Sequence, residues 1–344
     1  MTTLDHQSTD WTAPVTHRVA ESVYRIPLAL PLQDLRSVNC YALTSNNSVT
    51  LVDPGWASAS TERALSAALS DLGFTLADVE QIIVTHTHWD HYTQAIALRD
   101  AYGTPVLVGE QERHTIAAFE EIAGMHPGQV ALLRTCGATD LADLIEATEL
   151  EEHEKDVPFG EPDAWLEDGQ RLAVGDRMLE VHHTPGHTRG HMIVTDPDRD
   201  VMITGDHILP RITPSIGFER APEALPLASF LESLARVKSL PNAQMLPAHG
   251  RVTPHVHDRV DALLAHHDER FDAVLSQVAS GRHTAADIGG ALTWTRHERA
   301  LADLRAIHRM MAILEISAHL DVLVLQGRLE RTEIDGVYHF AAAK

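Results

Sequence analysis

The 344-residue chain carries 49 acidic against 27 basic residues, and its net charge of -22 disfavours binding to a phosphate backbone. Hydrophobic residues make up 44% of the chain, so we expect a large buried core and not a disordered polypeptide. Two cysteines are too few for a disulfide framework and suit a reducing, cytoplasmic setting. We also expect no signal peptide, because the N-terminus lacks a basic region followed by an apolar stretch, and no membrane span, because the sequence shows no apolar run of about 18 residues.

The first half of the chain predicts a β-meander followed by strands and helices in alternation. Residues 1 to about 20 are polar and predict a loose arm. Short apolar, β-branched runs then predict strands, and apolar residues at helical spacing predict helices, the first of which ends at Gly73. The predicted strands cover residues 23–28, 38–43, 49–52, 81–84 and 105–109, and the predicted helices cover residues 60–69, 92–98 and 110–119.

The region of about residues 122–160 has a different pattern, with short helical pieces, several glycines and a run of glutamates. It contains no segment that resembles a core strand. We expect a solvated helical insertion here, and the alternative is a lid or substrate-binding subdomain.

A second meander is predicted to begin near Trp165. Its strands are followed by a helix, a last strand and a long amphipathic helix that Gly281 ends. The predicted strands cover residues 178–183, 192–195, 200–204 and 243–246, and the helices cover residues 228–237 and 256–278.

The last segment of the chain predicts a separate small unit. Apolar residues repeat at three- and four-residue steps from 307 to 325, and the pair Asp335-Gly336 separates two short strand-like runs, which is a strong hairpin signal. Helices followed by a hairpin describe a winged helix, so we expect one domain over residues 1–280, including the insertion, and a winged-helix-like domain over residues 281–344. That small unit has eight basic and eight acidic residues and lacks the basic face typical of nucleic-acid binding.

The densest group of candidate metal ligands lies in the loop after the strand at 81–84. His86 and His88 are two residues apart at a strand end, where side chains at this spacing project to one side and can grip one ion. Asp90 and His91, just past the turn, can hold a second ion. Because the chain contains 23 histidines, spacing and not abundance must identify a site.

Three further ligands stand at the ends of later predicted strands: His187, Asp206 and His249. A zinc ion needs about four nitrogen, oxygen or sulfur ligands, and these residues supply what the first loop lacks. A set of histidines and aspartates without cysteine fits zinc, while iron and manganese also accept these ligand types.

Together these motifs resemble the motif set of the metallo-β-lactamase superfamily, with the metal motifs of its glyoxalase II-like members, over residues 20–250. The resemblance implies an α/β fold, an αββα sandwich in which two sheets face each other with helices outside, and a catalytic domain within residues 1–280. The motifs are His-x-His-x-Asp-His at 86–91, Gly-His-Thr-x-Gly-His at 186–191, Thr-Gly-Asp at 204–206 and Pro-x-His-Gly at 247–250.

The same resemblance implies a role for each ligand and a reaction class. Asp53 would orient a ligand. A metal-bridging hydroxide would attack the carbonyl of a small acyl substrate, most readily a thioester or ester and alternatively a lactone, with Asp90 as its proton shuttle. Two zinc ions would be held, one by His86, His88 and His187 and one by Asp90, His91 and His249, with Asp206 between them, and the catalytic residues would be Asp90, His86 and His88.

Three other functions compete with a thioesterase. The common subclass of class B β-lactamases has cysteine where Asp206 stands, which argues against antibiotic hydrolysis. Ribonucleases share the motifs, but the acidic chain and its neutral C-terminal unit argue against nucleic acid as a partner. A non-catalytic regulatory protein, with the wing at a homodimer contact, is the third alternative, and the complete ligand set argues against it.

Overall fold

The computed structural model describes residues 10–32, 34–121, 126–295 and 297–343, and most of its strands form two sheets. The larger sheet has seven strands in chain order, β1 to β7, and the smaller has five in the order β12-β11-β10-β9-β8. The larger sheet comprises β1 (His17–Ala20), β2 (Val23–Ala29), β3 (Ser37–Thr44), β4 (Val49–Val52), β5 (Val79–Val84), β6 (Val106–Gly109) and β7 (Ala164–Leu166). The smaller sheet comprises β8 (Arg171–Val174), β9 (Arg177–His183), β10 (Met192–Asp196), β11 (Val201–Gly205) and β12 (Gln244–Pro247).

The central strands of the larger sheet are buried on both faces, as their continuous apolar runs predict. All four residues of β4 are buried, and β4, β5, β6 and β7 run parallel. Parallel neighbours require crossovers, which the helices α1 (Ala59–Asp71) and α2 (Trp89–Tyr102) provide. Ser58 caps α1 by accepting a hydrogen bond from the N–H of Thr61.

Three apolar layers hold the elements together. One lies between the two sheets and includes Ile83 and Val194, and a second lies between the larger sheet and the helices α1 and α2. The third covers the outer face of the smaller sheet, where α6 (Pro226–Ser239) and α7 (Val256–Ala279) pack. This layering confirms the predicted αββα sandwich.

Two boundaries differ from the sequence-based predictions. The predicted loose arm contains the edge strand β1, which pairs with β2, while residues 1–9 lie outside the described part. The strand at Trp165 does not open the second meander, because β7 pairs with β6 in the larger sheet and the meander begins at Arg171. A three-residue strand has too little sequence to specify which sheet it joins.

The helices of the predicted insertion pack against the C-terminal segment. The helix α3 (Arg113–Glu121) precedes the insertion. In the described part of the insertion, from residue 126 onward, α4 (Pro127–Thr135) and α5 (Thr139–Glu146) bury Leu133 and Ala142 in the same apolar layer as Leu320 of α9 (Ala306–Leu325). The helical character agrees with the prediction, but these two helices share a core and do not stand free in solvent. The C-terminal segment comprises α8 (Ala285–Ala291), β13 (Thr293–Trp294), β14 (Arg299–Ala300), α9 (Ala306–Leu325), β15 (Leu329–Ile334) and β16 (Val337–Ala342).

The hairpin predicted from Asp335-Gly336 is confirmed. β15 and β16 pair antiparallel across this turn, with Ile334 opposite Val337. Both turn residues have positive φ, 50° for Asp335 and 78° for Gly336, as a two-residue hairpin turn requires. Among the residues that the structure describes, no helix combines the length and the apolar character needed to cross a membrane.

Candidate metal centre

The candidate ligands follow the C-terminal ends of strands in both sheets, in loops and, for Asp90 and His91, in the first turn of α2. His86, His88 and His91 follow β5, and His88 is the residue before the first turn of α2. The other loops follow β9, β11 and β12, and they carry His187, Asp206 and His249 respectively. The sandwich therefore brings the seven predicted ligands, including Asp90, to one edge.

The first cluster contains His86, His88, His187 and Asp206, whose ligand atoms all lie within 4.8 Å of one another. The Nδ1 atom of His88 lies 3.0 Å from Nε2 of His86 and 3.1 Å from Nε2 of His187. Nε2 of His187 is also 3.6 Å from Oδ2 of Asp206. Three imidazole nitrogens and a carboxylate oxygen thus converge on one point.

The second cluster contains Asp90, His91 and His249, all of them buried. Nε2 of His249 lies 3.3 Å from Oδ2 of Asp90, and Nε2 of His91 lies 3.7 Å from the same oxygen. Asp206 also reaches this cluster, because its Oδ1 is 3.3 Å from Nε2 of His249. Asp206 is therefore the side chain that lies between the two clusters.

Hydrogen bonds to backbone carbonyls orient two of the imidazole rings for metal binding. Nδ1 of His187 donates to the carbonyl of Ser215 over 2.9 Å, and Nδ1 of His249 donates to the carbonyl of Ser37 over 2.8 Å. A neutral imidazole that donates through Nδ1 keeps its lone pair on Nε2. In the neutral form of both rings this lone pair would point into the clusters, which is the arrangement that metal-binding histidines use.

Asp53 and Thr85 orient two of the three rings that follow β5, those of His86 and His91. Nδ1 of His91 donates to Oδ2 of Asp53 over 2.9 Å, and the Thr85 hydroxyl donates to the same oxygen over 2.8 Å. The Thr85 hydroxyl lies 3.1 Å from Nδ1 of His86 and can accept from it. Asp53 has a φ of 53°, a left-handed conformation that Asp and Asn tolerate better than other non-glycine residues. The sequence-based role of Asp53, orientation of a ligand, corresponds to this contact.

Several inward-facing atoms of the clusters have no hydrogen-bond partner although they are buried. Buried polar atoms rarely lack a hydrogen bond, so a group of such atoms, which contact one another only as ion pairs at 3.3–3.7 Å, favours a partner outside the protein. Nitrogen and carboxylate donors without thiolate fit a divalent ion such as zinc, iron or manganese. The unpaired atoms are Oδ2 of Asp90, Nε2 of His91, Oδ1 of Asp206 and Nε2 of His249.

Protonation differs between the clusters. Burial, with the neighbouring His187, lowers the pKa of His88 to about 3, and burial also lowers the pKa of His86 and His187, so these rings are neutral. Burial opposes a charge on His249, but the Asp206 and Asp90 carboxylates outweigh it and raise its pKa to about 10. The pKa of His91 is raised in the same way, since Asp90 and Asp53 outweigh its burial. The second cluster therefore holds protons where a metal ion would bind.

Neighbouring histidines and aromatic rings surround the clusters. His191 is buried beneath Asp206, and its Nε2 accepts from the Asp206 N–H over 3.2 Å. His207 is buried outside both clusters and packs on Phe230. The Phe218 ring lies 5.7 Å from the His88 ring, so an apolar side chain borders the first cluster.

The sequence pattern did not identify two buried glutamates near the clusters. Glu112 is fully buried and accepts hydrogen bonds from the hydroxyls of Thr87 and Thr188. Glu219, 3% exposed, accepts from the Arg189 N–H over 2.9 Å. Both are single glutamates among 49 acidic residues, and no local pattern marks either of them.

Residues 34–249 match the family model of the metallo-β-lactamase superfamily, and the chain belongs to this superfamily. It is thus a mixed α/β protein of a largely hydrolytic superfamily, with two groups of side chains that could hold metal ions. An uncharacterised protein of Mycobacterium leprae (strain TN) is 30% identical over 179 residues, which are 50% of this chain and 69% of that protein.

Two solved structures resemble almost the whole chain. A metallo-β-lactamase family protein from Thermus thermophilus has 26% identity and a TM-score of 0.77, with 94% of this chain and 99% of that chain covered. A β-lactamase domain protein from Burkholderia ambifaria has 29% identity and the same TM-score of 0.77, with coverage of 98% and 96%. The likeness therefore extends past residue 249 into the C-terminal helices.

Proposed function

We propose that this chain is a dinuclear metal hydrolase that cleaves a thioester or ester of a small acyl substrate. The observation that carries the proposal is the position of Asp206, whose two carboxylate oxygens lie 3.6 Å from Nε2 of His187 and 3.3 Å from Nε2 of His249. One carboxylate that reaches both clusters favours two ions close together over two independent sites. Zinc is the ion that we propose, on the basis of ligand type.

In this proposal His86, His88 and His187 would hold the first ion, and Asp90, His91 and His249 would hold the second. Asp206, which reaches both clusters, would contribute to both. Two ions so placed would lower the pKa of a water molecule and polarise a carbonyl group.

Asp90 is the residue that we propose to move a proton. Its Oδ2 is buried and unpaired, and it lies 3.3 Å from Nε2 of His249. Burial works against its charge, but His91 and His249 outweigh this and lower the pKa of Asp90 to about 2, so it is a carboxylate at neutral pH.

The aromatic surroundings of the first cluster support an acyl substrate. Trp89, next to His88, packs at 5.5 Å from the Trp56 ring and 6.1 Å from the Phe119 ring, and Phe218 borders His88 itself. Phe218 gives an acyl chain an apolar surface beside the first cluster. The net charge of -22 opposes an RNA backbone, which places nuclease activity behind esterase activity.

The remaining assignments complete the proposal. We propose a catalytic domain over residues 1–280 and a winged-helix unit over residues 281–344, glyoxalase II-like metal chemistry, and a cytoplasmic location. The wing, formed by β15 and β16, is the proposed contact of a homodimer.

A substrate panel tests the reaction class. The zinc-loaded chain and the Asp90→Asn variant are assayed against acyl-thioesters, esters, lactones and a single-stranded RNA. We expect zinc-dependent hydrolysis of thioesters or esters, reduced by at least about 100-fold in the variant, since a positioned acid-base group contributes 10²–10⁴-fold. Cleavage of RNA with no hydrolysis of any acyl substrate would instead establish a nuclease.

A further inference from the structure

A buried carboxylate joins the two loops that supply the imidazoles of the first cluster. Glu112 is fully buried, in the turn after β6. The Thr87 hydroxyl donates to its Oε2 and the Thr188 hydroxyl donates to its Oε1. Thr87 stands between His86 and His88 in the chain, and Thr188 follows His187. One side chain thus holds residues adjacent to all three imidazoles.

Backbone groups reinforce this connection. Burial raises the pKa of Glu112, whereas the two hydroxyls and the N–H groups of Thr87 and Gly190 oppose that rise by donating to the carboxylate. A buried carboxylate is costly unless hydrogen bonds compensate it. Four donors from two loops provide this compensation, and the side chain is held between them.

The turn that carries Glu112 packs so closely on the loop of His187 that the contact leaves no room for side chains at Gly109 and Gly190. A Cβ added at Gly190 would lie 2.2 Å from the backbone nitrogen of Glu112, and a Cβ added at Gly109 would lie 2.1 Å from the carbonyl oxygen of Gly190. Real Cβ atoms essentially never approach another atom this closely, so only glycine lets the two backbones meet directly. The turn that carries Glu112 therefore has a fixed position relative to the His187 loop.

We propose that Glu112 is a positioning residue that holds the loop of His88 and the loop of His187 at the separation a metal ion requires. Nδ1 of His88 and Nε2 of His187 are 3.1 Å apart, and the loops that carry them belong to different sheets. A small change in the spacing of the loops would move one nitrogen away from the common point. The inference rests on the proposed metal centre and assigns to it a support outside the ligand set.

The test removes one hydroxyl at a time, because Glu112→Ala would leave four buried donors unpaired and endanger folding. The variants are Thr188→Val and Thr87→Val, which keep the shape of the side chain. Thr188→Ser keeps the hydroxyl and serves as the rescue variant. Thr104→Val is the matched control, since its buried hydroxyl donates to the Val79 carbonyl and does not contact Glu112.

Binding of zinc and cobalt is measured in each folded variant by competition with a chromophoric chelator, together with the cobalt absorption spectrum. We expect Thr188→Val and Thr87→Val to lower the affinity for one of the two ions by 10–100-fold, which is the range for residues that support metal ligands. The absorption spectrum of cobalt at that site should also change. Thr188→Ser and Thr104→Val should bind both ions as the wild type does. This pattern would separate positioning from general stability.

Two results would overturn the inference. One is wild-type affinity for both ions in Thr188→Val and Thr87→Val, and the other is an equal loss of affinity in Thr104→Val. A wild-type chain that binds no divalent ion would overturn the proposed function itself, and this inference with it.

Discussion

The carboxylate of Asp53 accepts a hydrogen bond from Nδ1 of His91 over 2.9 Å, although the two residues are 38 positions apart in the chain. The same carboxylate accepts from the N–H and the hydroxyl of Thr85, each over 2.8 Å. When the His91 ring is neutral, Asp53 therefore keeps its proton on Nδ1, and the lone pair is then on Nε2, which faces the second cluster.

Asp53→Asn tests this arrangement. Asparagine tolerates the φ of 53° at this position, so the backbone should not change. The amide offers one acceptor oxygen to three donors, so its NH2 group must face either the Thr85 N–H or the Thr85 hydroxyl and His91 Nδ1, which weakens the support of the His91 ring. We expect a 10–100-fold loss of affinity for one ion, measured by chelator competition. Unchanged affinity for both ions would show that Asp53 does not control His91.

Asp206→Asn tests the connection between the clusters. Because Asp206 reaches both clusters, the variant should lower the affinity for each ion by more than about 100-fold. Loss of a residue that only supports a ligand costs at most about that much. The measurement is metal content after dialysis, with Asp198→Asn, an exposed change in the turn between β10 and β11, as the control. Loss of one ion alone would contradict a shared ligand.

Metal binding should release protons. The pKa of His249 is raised to about 10, so at pH 8 this ring is protonated in the metal-free protein and must lose its proton to bind an ion, and the pKa of His91 is raised as well. We expect at least about one proton released per chain at pH 8 and a zinc affinity that increases as the pH rises toward 10. Calorimetry in two buffers of different ionisation enthalpy measures the number of protons released on metal binding. A value of zero would contradict the protonated state.

Glu219 should make the folded protein less stable as the pH rises. Burial and the nearby Glu112 raise its pKa from 4.5 to about 8, so the folded protein retains a proton that the unfolded chain loses. The free energy of unfolding should decrease between pH 4.5 and about 8 for this reason. Glu219→Gln mimics the protonated form and should be more stable than the wild type by roughly 1–3 kcal/mol at pH 9, with little difference at pH 4.5.

Urea unfolding at the two pH values measures this difference. Glu330→Gln, on an exposed position of β15, is the control for removal of one charge. If Glu219→Gln were equally or less stable than the wild type at pH 9, the buried protonated carboxyl would be ruled out.

The candidate ligands could be located from the sequence because each follows a strand whose apolar run is visible locally. His86 and His88 stand just past a buried strand, and strand ends of a sandwich meet at one edge. Glu112 could not be predicted, since its partner Thr188 is 76 positions away and no periodicity joins them. The packing of α4 and α5 on α9 was missed for the same reason: the apolar face of a helix does not specify its partner.

The central claim is that two metal ions held at Asp206 are required for hydrolysis of an acyl-thioester. The most direct measurement is the hydrolysis rate of metal-stripped chain titrated with zinc. We predict a negligible rate without metal and a rate that rises to a plateau at two ions per chain. A metal-stripped chain that hydrolyses the thioester as fast as the loaded one would contradict the claim.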